Sequence, residues 1–172
     1  MLPRNIVMIG HNSKCHDIMN GFTAFRGEHN LKDEDILNIT VIDDQKSLEQ
    51  LNYYREYPYV TKTVIADVFD DTLIRKTIEN AIDSFPGATS LLVLSDDNTA
   101  TEDIDSAALT YLIYVQDIIF ERQKKDPHFN RNKIDVIVEI LNPKNYDVVH
   151  NYSVDNVVIS NRYISKMVTQ IG

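Results

Sequence analysis

The segment from Arg4 to Lys14 restricts the fold more than any other part of the sequence. Residues 5–9, NIVMI, form an almost uninterrupted apolar run that ends at Gly10 and is followed by residues that favour the start of a helix. A short run of this kind is typical of a β-strand buried on both faces, as at the centre of a parallel sheet. A strand that leads through a glycine turn into a helix leaves the helix N-terminus pointing toward any anion bound above the sheet edge. The segment therefore predicts a parallel α/β fold with a candidate ligand site at Gly10.

The turn after this strand keeps part of the glycine pattern of Rossmann-type dinucleotide-binding domains. That pattern is G-x-G-x-x-G, whereas the sequence here is GHNSKC and retains only Gly10. Asn12 and Cys15 replace the glycines that let the backbone approach a pyrophosphate and let helix and strand pack closely. Asparagine tolerates positive φ better than most residues, so the turn is easier to retain than the close phosphate contact. The pattern favours a Rossmann-type unit and weakens the expectation of full NAD binding.

Strand and helix patterns alternate along the rest of the chain. Short apolar runs predict further strands at 36–42, 61–66, 89–94, 134–141 and 156–159. Apolar residues at helical spacing predict helices at 15–27, 47–55, 73–85, 104–119 and 146–151, and a last one after Ser160. The strand at 89–94 is expected at the sheet centre because Leu91 to Leu94 are all apolar. This alternation predicts one α/β domain over residues 1–172, a Rossmann-like, doubly wound, mainly parallel sheet with helices on both faces.

Composition narrows the classes of function. The chain has 172 residues and a net charge of −9, which argues against nucleic-acid binding and is compatible with attracting cations. Its single cysteine, Cys15, fits a reducing compartment and falls on the apolar stripe of the first helix, which favours packing over thiol chemistry. No stretch approaches the roughly 20 apolar residues needed to cross a bilayer, so we expect a soluble fragment without direct membrane insertion. The chain stops within a helical pattern at 165–172, which suggests a piece of a longer polypeptide.

Several predicted strands end in polar or acidic residues. Asp43 and Asp44 follow the second strand, Asp67 follows the third, and Ser95 and Asp96 follow the fourth. In a parallel sheet these ends meet at the carboxyl edge, where ligands of open α/β sheets bind. Three explanations remain open. The edge binds a nucleotide through its ribose and phosphates, or a divalent metal through carboxylates, or the residues only terminate strands and start helices.

The sequence contains no recognisable catalytic set. The five histidines share no metal-ligand spacing, and none accompanies a nucleophile motif. His11 alone lies beside the expected cleft, where a solvent-exposed turn residue is the simpler interpretation. Acidic residues at 96, 97, 102 and 103 offer oxygen ligands for Ca²⁺, although acidic residues also favour the start of a helix.

The helix predicted at 104–119 is apolar on two sides. Its main stripe follows helical spacing throughout, and a second set of apolar residues lies off that stripe: Leu109, Ile113, Tyr114 and Phe120. A helix apolar on two sides usually packs against two partners. The sheet is one of them, and a neighbouring subunit is a candidate for the other.

Two stretches in the second half of the chain carry a family resemblance. They span residues 90–118 and 135–171, and they include ILNP at 140–143 at a strand end and VISN at 158–161 at a helix start. Both stretches resemble TrkA-N/RCK domains, which regulate potassium channels and transporters, and are most similar to those of Castor/Pollux-type ion channels. The first loop of those channel domains also keeps one glycine and has a large residue in place of the third.

The resemblance implies a non-catalytic, ligand-sensing domain on the cytoplasmic side of a tetrameric cation or potassium channel. It implies a membrane pore domain in the same chain and a homo-oligomer, as a dimer or gating ring, formed through the helix at 103–122. RCK relatives bind NAD(H), another adenine nucleotide or Ca²⁺ near the strand ends. A nucleotide-dependent Rossmann oxidoreductase and a ligand-free structural domain of the ring remain alternatives.

The resemblance also assigns site residues by position. Nucleotide contacts are expected by this assignment along the strand ends, at Gly10, Asn12, Asp43, Asp67 and Ser95, and the neighbouring His11 and Asp44 complete the expected site. A metal site is expected at Glu139 with Asp96, while a second glutamate of that calcium site corresponds to Leu141 here.

Overall fold

Six parallel strands form one sheet within the residues that the structure describes. The structure is a computed structural model and describes residues 4–11, 15–28, 37–44, 53–95 and 104–159. The strands are β1 (Arg4–Ile9), β2 (Leu37–Asp43), β3 (Val60–Ile65), β4 (Thr89–Val93), β5 (Ile134–Glu139) and β6 (Asn156–Val158). Their order across the sheet is β3-β2-β1-β4-β5-β6, and each neighbouring pair is parallel. This is the strand order of a doubly wound Rossmann fold, so the predicted fold class is confirmed.

Helices cover both faces of the sheet. They are α1 (Cys15–Glu28), α2 (Asp71–Asp83), α3 (Ser106–Lys125) and the short α4 (Tyr146–Val149). Side chains of a strand alternate between faces, so Ile6 and Met8 of β1 pack with α1, whereas Val7 and Ile9 pack with α2 and α3. The sheet thus lies between two apolar layers of the described residues, which leaves its edges for a ligand.

The predicted strands agree with the observed ones to within one or two residues. As predicted, β4 lies at the centre of the sheet, between β1 and β5. The predicted helix at 47–55 is described only from Tyr53, and the predicted helix after Ser160 lies outside the described residues. Among the described helices, none combines the length and the apolar character that crossing a membrane requires.

The second apolar face predicted for helix α3 is only partly exposed. Tyr114, assigned to the second apolar face, is only 8 % exposed, and its hydroxyl donates to the Val68 carbonyl at 2.8 Å. Part of that face therefore packs within the chain, because the segment before α2 reaches over it. Ile113 and Phe120 remain 44 % and 49 % exposed.

The amino edge of the sheet is closed by hydrogen bonds between side chains. Asn5, 2 % exposed, donates to the Ala81 carbonyl and to the Thr89 hydroxyl, each at 2.8 Å, and accepts from the Asn38 amide at 2.9 Å. These contacts tie β1 to β2, β4 and the end of α2. The carboxyl edge at the other end of the sheet carries the predicted ligand site.

Candidate functional site

The loops that follow the first three strands begin side by side at the carboxyl edge. The backbone N–H of Gly10, after β1, donates to the Ile42 carbonyl of β2 at 2.8 Å. The N–H of Ala66, after β3, donates to the Asp43 carbonyl at 3.0 Å. The glycine turn and the acidic ends of β2 and β3 therefore share one rim, as the sequence predicted.

Gly10 is required at its position for two reasons. Its φ is +97°, a conformation that residues with a side chain rarely adopt. A Cβ atom there would lie 2.6 Å from the Leu94 carbonyl oxygen and 3.3 Å from the Tyr111 ring. The close approach of β1 to the end of β4 depends on the missing side chain.

The carboxylate of Asp43 is buried at this rim with an unusual set of neighbours. Asp43 is 1 % exposed, and neither of its oxygens makes a hydrogen bond to any of the described residues. Its Oδ2 lies 3.3 Å from Nδ1 of His11, a charged contact without the direction of a hydrogen bond. The same Nδ1 lies 3.1 Å from the Tyr54 hydroxyl.

The interpretation of His11 as a solvent-exposed turn residue is wrong. Its side chain is 20 % exposed, and it packs edge-on against Tyr54, with the two rings at 87°. A buried carboxylate without hydrogen bonds is unfavourable, so the nearest cationic group is attracted to it.

The surroundings of His11 change its acidity. Burial lowers the pKa of His11, but the Asp43 carboxylate and the Cys15 thiol raise it more, and the pKa rises from 6.5 to about 10. At neutral pH the imidazole is therefore a cation beside the Asp43 anion. Burial, with Cys15 and Asp43 nearby, also raises the pKa of Tyr54, so that phenol stays neutral.

Cys15 is buried, as expected. It is 1 % exposed at the first residue of α1 and packs with the apolar residues of that helix. Its thiol lies close enough to His11 and Tyr54 to affect both groups. The sequence did not predict this polar contact of the thiol.

Two other predicted residues lie at the same rim. Asp44 follows Asp43 directly and is partly exposed. Asp67 is exposed, and its Oδ1 accepts from the Phe69 N–H at 2.9 Å, which makes it part of the turn that leads to α2. Asn12 and Asp96 fall outside the described residues.

Ser95 and Glu139 lie under the other half of the rim. Both are 0 % exposed. The Ser95 hydroxyl donates to Oδ1 of Asp105 at 2.6 Å and lies 3.2 Å from the Glu139 carbonyl oxygen. In this arrangement neither side chain presents surface to a ligand, whereas His11 and Asp44, beside Gly10 and Asp43, are partly exposed.

Asp105 organises the contacts beneath the part of the rim near Ser95 and Glu139. It is 1 % exposed, and besides Ser95 its carboxylate accepts from the N–H of Leu141 at 2.7 Å, the N–H of Asn142 at 2.9 Å and the Asn145 side chain at 2.7 Å. These bonds attach the start of α3 to the loop after β5. Sequence reasoning missed this residue, although the asparagines of the ILNPKN loop were a usable signal.

The structure offers no metal site within the described residues. No three histidine, cysteine, aspartate or glutamate side chains among them are close enough to bind one ion. The predicted pair of Glu139 and Asp96 includes a residue outside that set, so the calcium site stays a prediction.

Comparisons with known proteins assign no family. A scan against protein-family models gives no match, and a search of curated proteins gives none either. Function is therefore inferred from the fold and from the groups at the rim.

Proposed function

We propose that this chain is a non-catalytic sensor domain that binds an adenine ribonucleotide, such as NAD(H) or ATP, at the rim around Gly10 and Asp43. The observation that carries the proposal is the Asp43 carboxylate, which is 1 % exposed and without hydrogen bonds to the described residues. The two hydroxyls of a ribose are donors of the right number and spacing for such a carboxylate. An acidic residue at the end of the second strand holds the ribose in dinucleotide-binding folds with this strand order.

Binding fits these groups better than acid–base catalysis does. A general base needs a free lone pair near the operating pH. In the ligand-free state His11, with its pKa raised to about 10, keeps its proton at neutral pH and pairs with Asp43, so it has no free lone pair at Nδ1. Tyr54, whose pKa is also raised, keeps its proton too.

The same proposal places the domain in an oligomeric assembly, on the model of the cytoplasmic gating rings of Castor/Pollux-type potassium channels. A ligand changes such an assembly only if it binds one arrangement more tightly than another. We assign the subunit contact to the exposed side of α3, where Ile113 and Phe120 lie seven residues apart on one face. A groove of about 300 Å³ includes Phe120 and is otherwise lined by Arg75, Asp117, Glu121 and Lys124.

That groove has the properties of a self-complementary surface. It carries both signs of charge around Phe120, and a twofold axis would bring this surface of one copy against the same surface of another. The Arg75 guanidinium already pairs with Asp117 at 2.9 Å. A second copy would add apolar contact at Phe120 and opposite charges at the ends.

Thermal unfolding with and without ligand tests the binding proposal. NADH or ATP is expected to raise the Tm of the wild type, since a ligand that binds only the folded state stabilises it. Asp43→Asn is expected to abolish that ligand-dependent rise, whereas Asp147→Asn, an exposed aspartate on α4, keeps it. A rise with Ca²⁺ alone, or no rise with either nucleotide, would contradict the proposal.

Solution mass tests the assembly. The wild type is expected to sediment as a dimer or larger, and Ile113→Glu with Phe120→Glu is expected to give a monomer. Val148→Glu is the matched control, because Val148 is a similarly exposed apolar residue, at 41 %, on a different helix. A monomeric wild type would remove the subunit contact from the proposal.

A further inference from the structure

The imidazole of His11 covers the Asp43 carboxylate, which the proposed ligand must reach. Its Nδ1 lies 3.3 Å from Oδ2 of Asp43, and the carboxylate is 1 % exposed beneath it. The Tyr54 hydroxyl also lies near this nitrogen, at 3.1 Å. Ribose hydroxyls that approach Asp43 from the rim would meet the imidazole first.

We propose that the ligand displaces His11 from Asp43, so that nucleotide binding at this rim releases a proton. In the ligand-free state the Asp43 anion is compensated by the imidazolium. In the bound state the carboxylate accepts from the two ribose hydroxyls, and the imidazole moves toward water and gives its Nδ1 proton to the solvent. This inference rests on the proposed function, because it requires a ligand that reaches Asp43.

The groups around His11 determine how its pKa changes when the ligand displaces it. Asp43 faces it from β2, Cys15 from α1 and Tyr54 from the segment before β3. Burial lowers the pKa of His11, and Asp43 and Cys15 raise it more, to about 10, against an ordinary value of 6.5. Displacement into water would return the pKa toward the ordinary value.

The direction of the pH dependence follows from the difference in His11 pKa between the ligand-free and bound states. A higher pKa in the ligand-free state means that protonation favours that state, so protons and nucleotide compete. Affinity for the nucleotide should therefore rise with pH between 6.5 and about 10. The rise can reach about tenfold per pH unit where a full proton is released.

Calorimetric titration with NADH measures both the affinity and the protons. The wild type, His11→Gln and His128→Gln are titrated at about pH 6.5, 7.5 and 8.5 in buffers of different ionisation enthalpy. Glutamine keeps a polar side chain but cannot carry the charge, and His128 is an exposed histidine on the loop after α3. We expect the wild type and His128→Gln to bind more tightly at higher pH with proton release. His11→Gln should bind more tightly than the wild type at the lowest pH and show little pH dependence.

The outcomes separate this inference from the proposed function. Wild-type binding that is independent of pH and releases no proton would overturn the displacement of His11 and leave nucleotide binding intact. Absence of NADH and ATP binding in both the wild type and His11→Gln would overturn both. Ring nitrogen NMR shifts showing that His11 remains protonated when NADH is bound would also overturn the inference.

Discussion

Asp105→Asn is expected to destabilise the protein strongly, although Asp105 lies outside the proposed ligand site. The carboxylate accepts four hydrogen bonds, two at each oxygen. Asparagine keeps a single acceptor oxygen. Whichever way its amide is turned, the NH₂ group faces two donors, which lose their partner while they remain in a buried or half-buried place.

The size of the stability loss follows from the two hydrogen bonds that Asp105→Asn removes. Hydrogen bonds to a charged group contribute about 1.5–3 kcal/mol each, so losing two costs roughly 3–6 kcal/mol. The Ser95 hydroxyl can turn fully toward the Glu139 carbonyl oxygen, 3.2 Å away, and this lowers the cost. We expect a decrease of about 3–4 kcal/mol in the free energy of unfolding, or roughly 6–16 °C in Tm for a chain of this size.

Urea unfolding followed by far-UV circular dichroism measures the change, since the chain contains no tryptophan for fluorescence. Asp147→Asn is the control, and the exposed position of Asp147 predicts a change within about 0.5 kcal/mol. A loss below about 1 kcal/mol for Asp105→Asn with an unchanged m-value would refute the reasoning. It would mean that the four contacts do not hold the loop after β5.

Three further substitutions probe other parts of the molecule. Gly10→Ala should cost about 2–4 kcal/mol, because it adds the strain of positive φ to a clash with the Leu94 carbonyl; a neutral change in urea unfolding would contradict this. Asn5→Ala should cost about 2–3 kcal/mol, because it leaves buried partners unpaired at the amino edge; a loss under about 0.5 kcal/mol would count against that network. For His11→Gln, the stability difference from the wild type should be largest below pH 6.5 and should vanish as the pH rises through about 10, because the folded-state pKa is raised. A difference that grows with pH would show that the sign is wrong.

The fold was predictable because the local signals agreed with each other. Apolar runs of strand length alternate with helical periods, and Gly10 marks the end of the first strand. The uniformly apolar run at 91–94 predicted a central strand, because a strand covered on both faces needs no polar side. Parallel pairing then brings the polar strand ends to one edge.

The contacts within the site were not predictable from local patterns. His11 meets Asp43 and Tyr54, which are distant in sequence, and only the finished sheet brings the three together. Asp105 has the same local signal as the acidic residues just before it, namely a place near the start of a helix. Asp105 differs in bonding to the loop after β5, a strand that begins 29 residues later in the chain. Tyr114 was misassigned because helical spacing does not reveal which neighbour covers a face.

Amide NMR spectra of the ¹⁵N-labelled protein, recorded during titration with NADH and with ATP, test the central claim most directly. We expect the largest shifts at Gly10 and Ala66, whose N–H groups donate to carbonyls at the end of β2, and at the neighbouring His11 and Asp44. Unchanged spectra with both nucleotides, or shifts confined to the groove between α2 and α3, would contradict the claim that this rim is the sensor site.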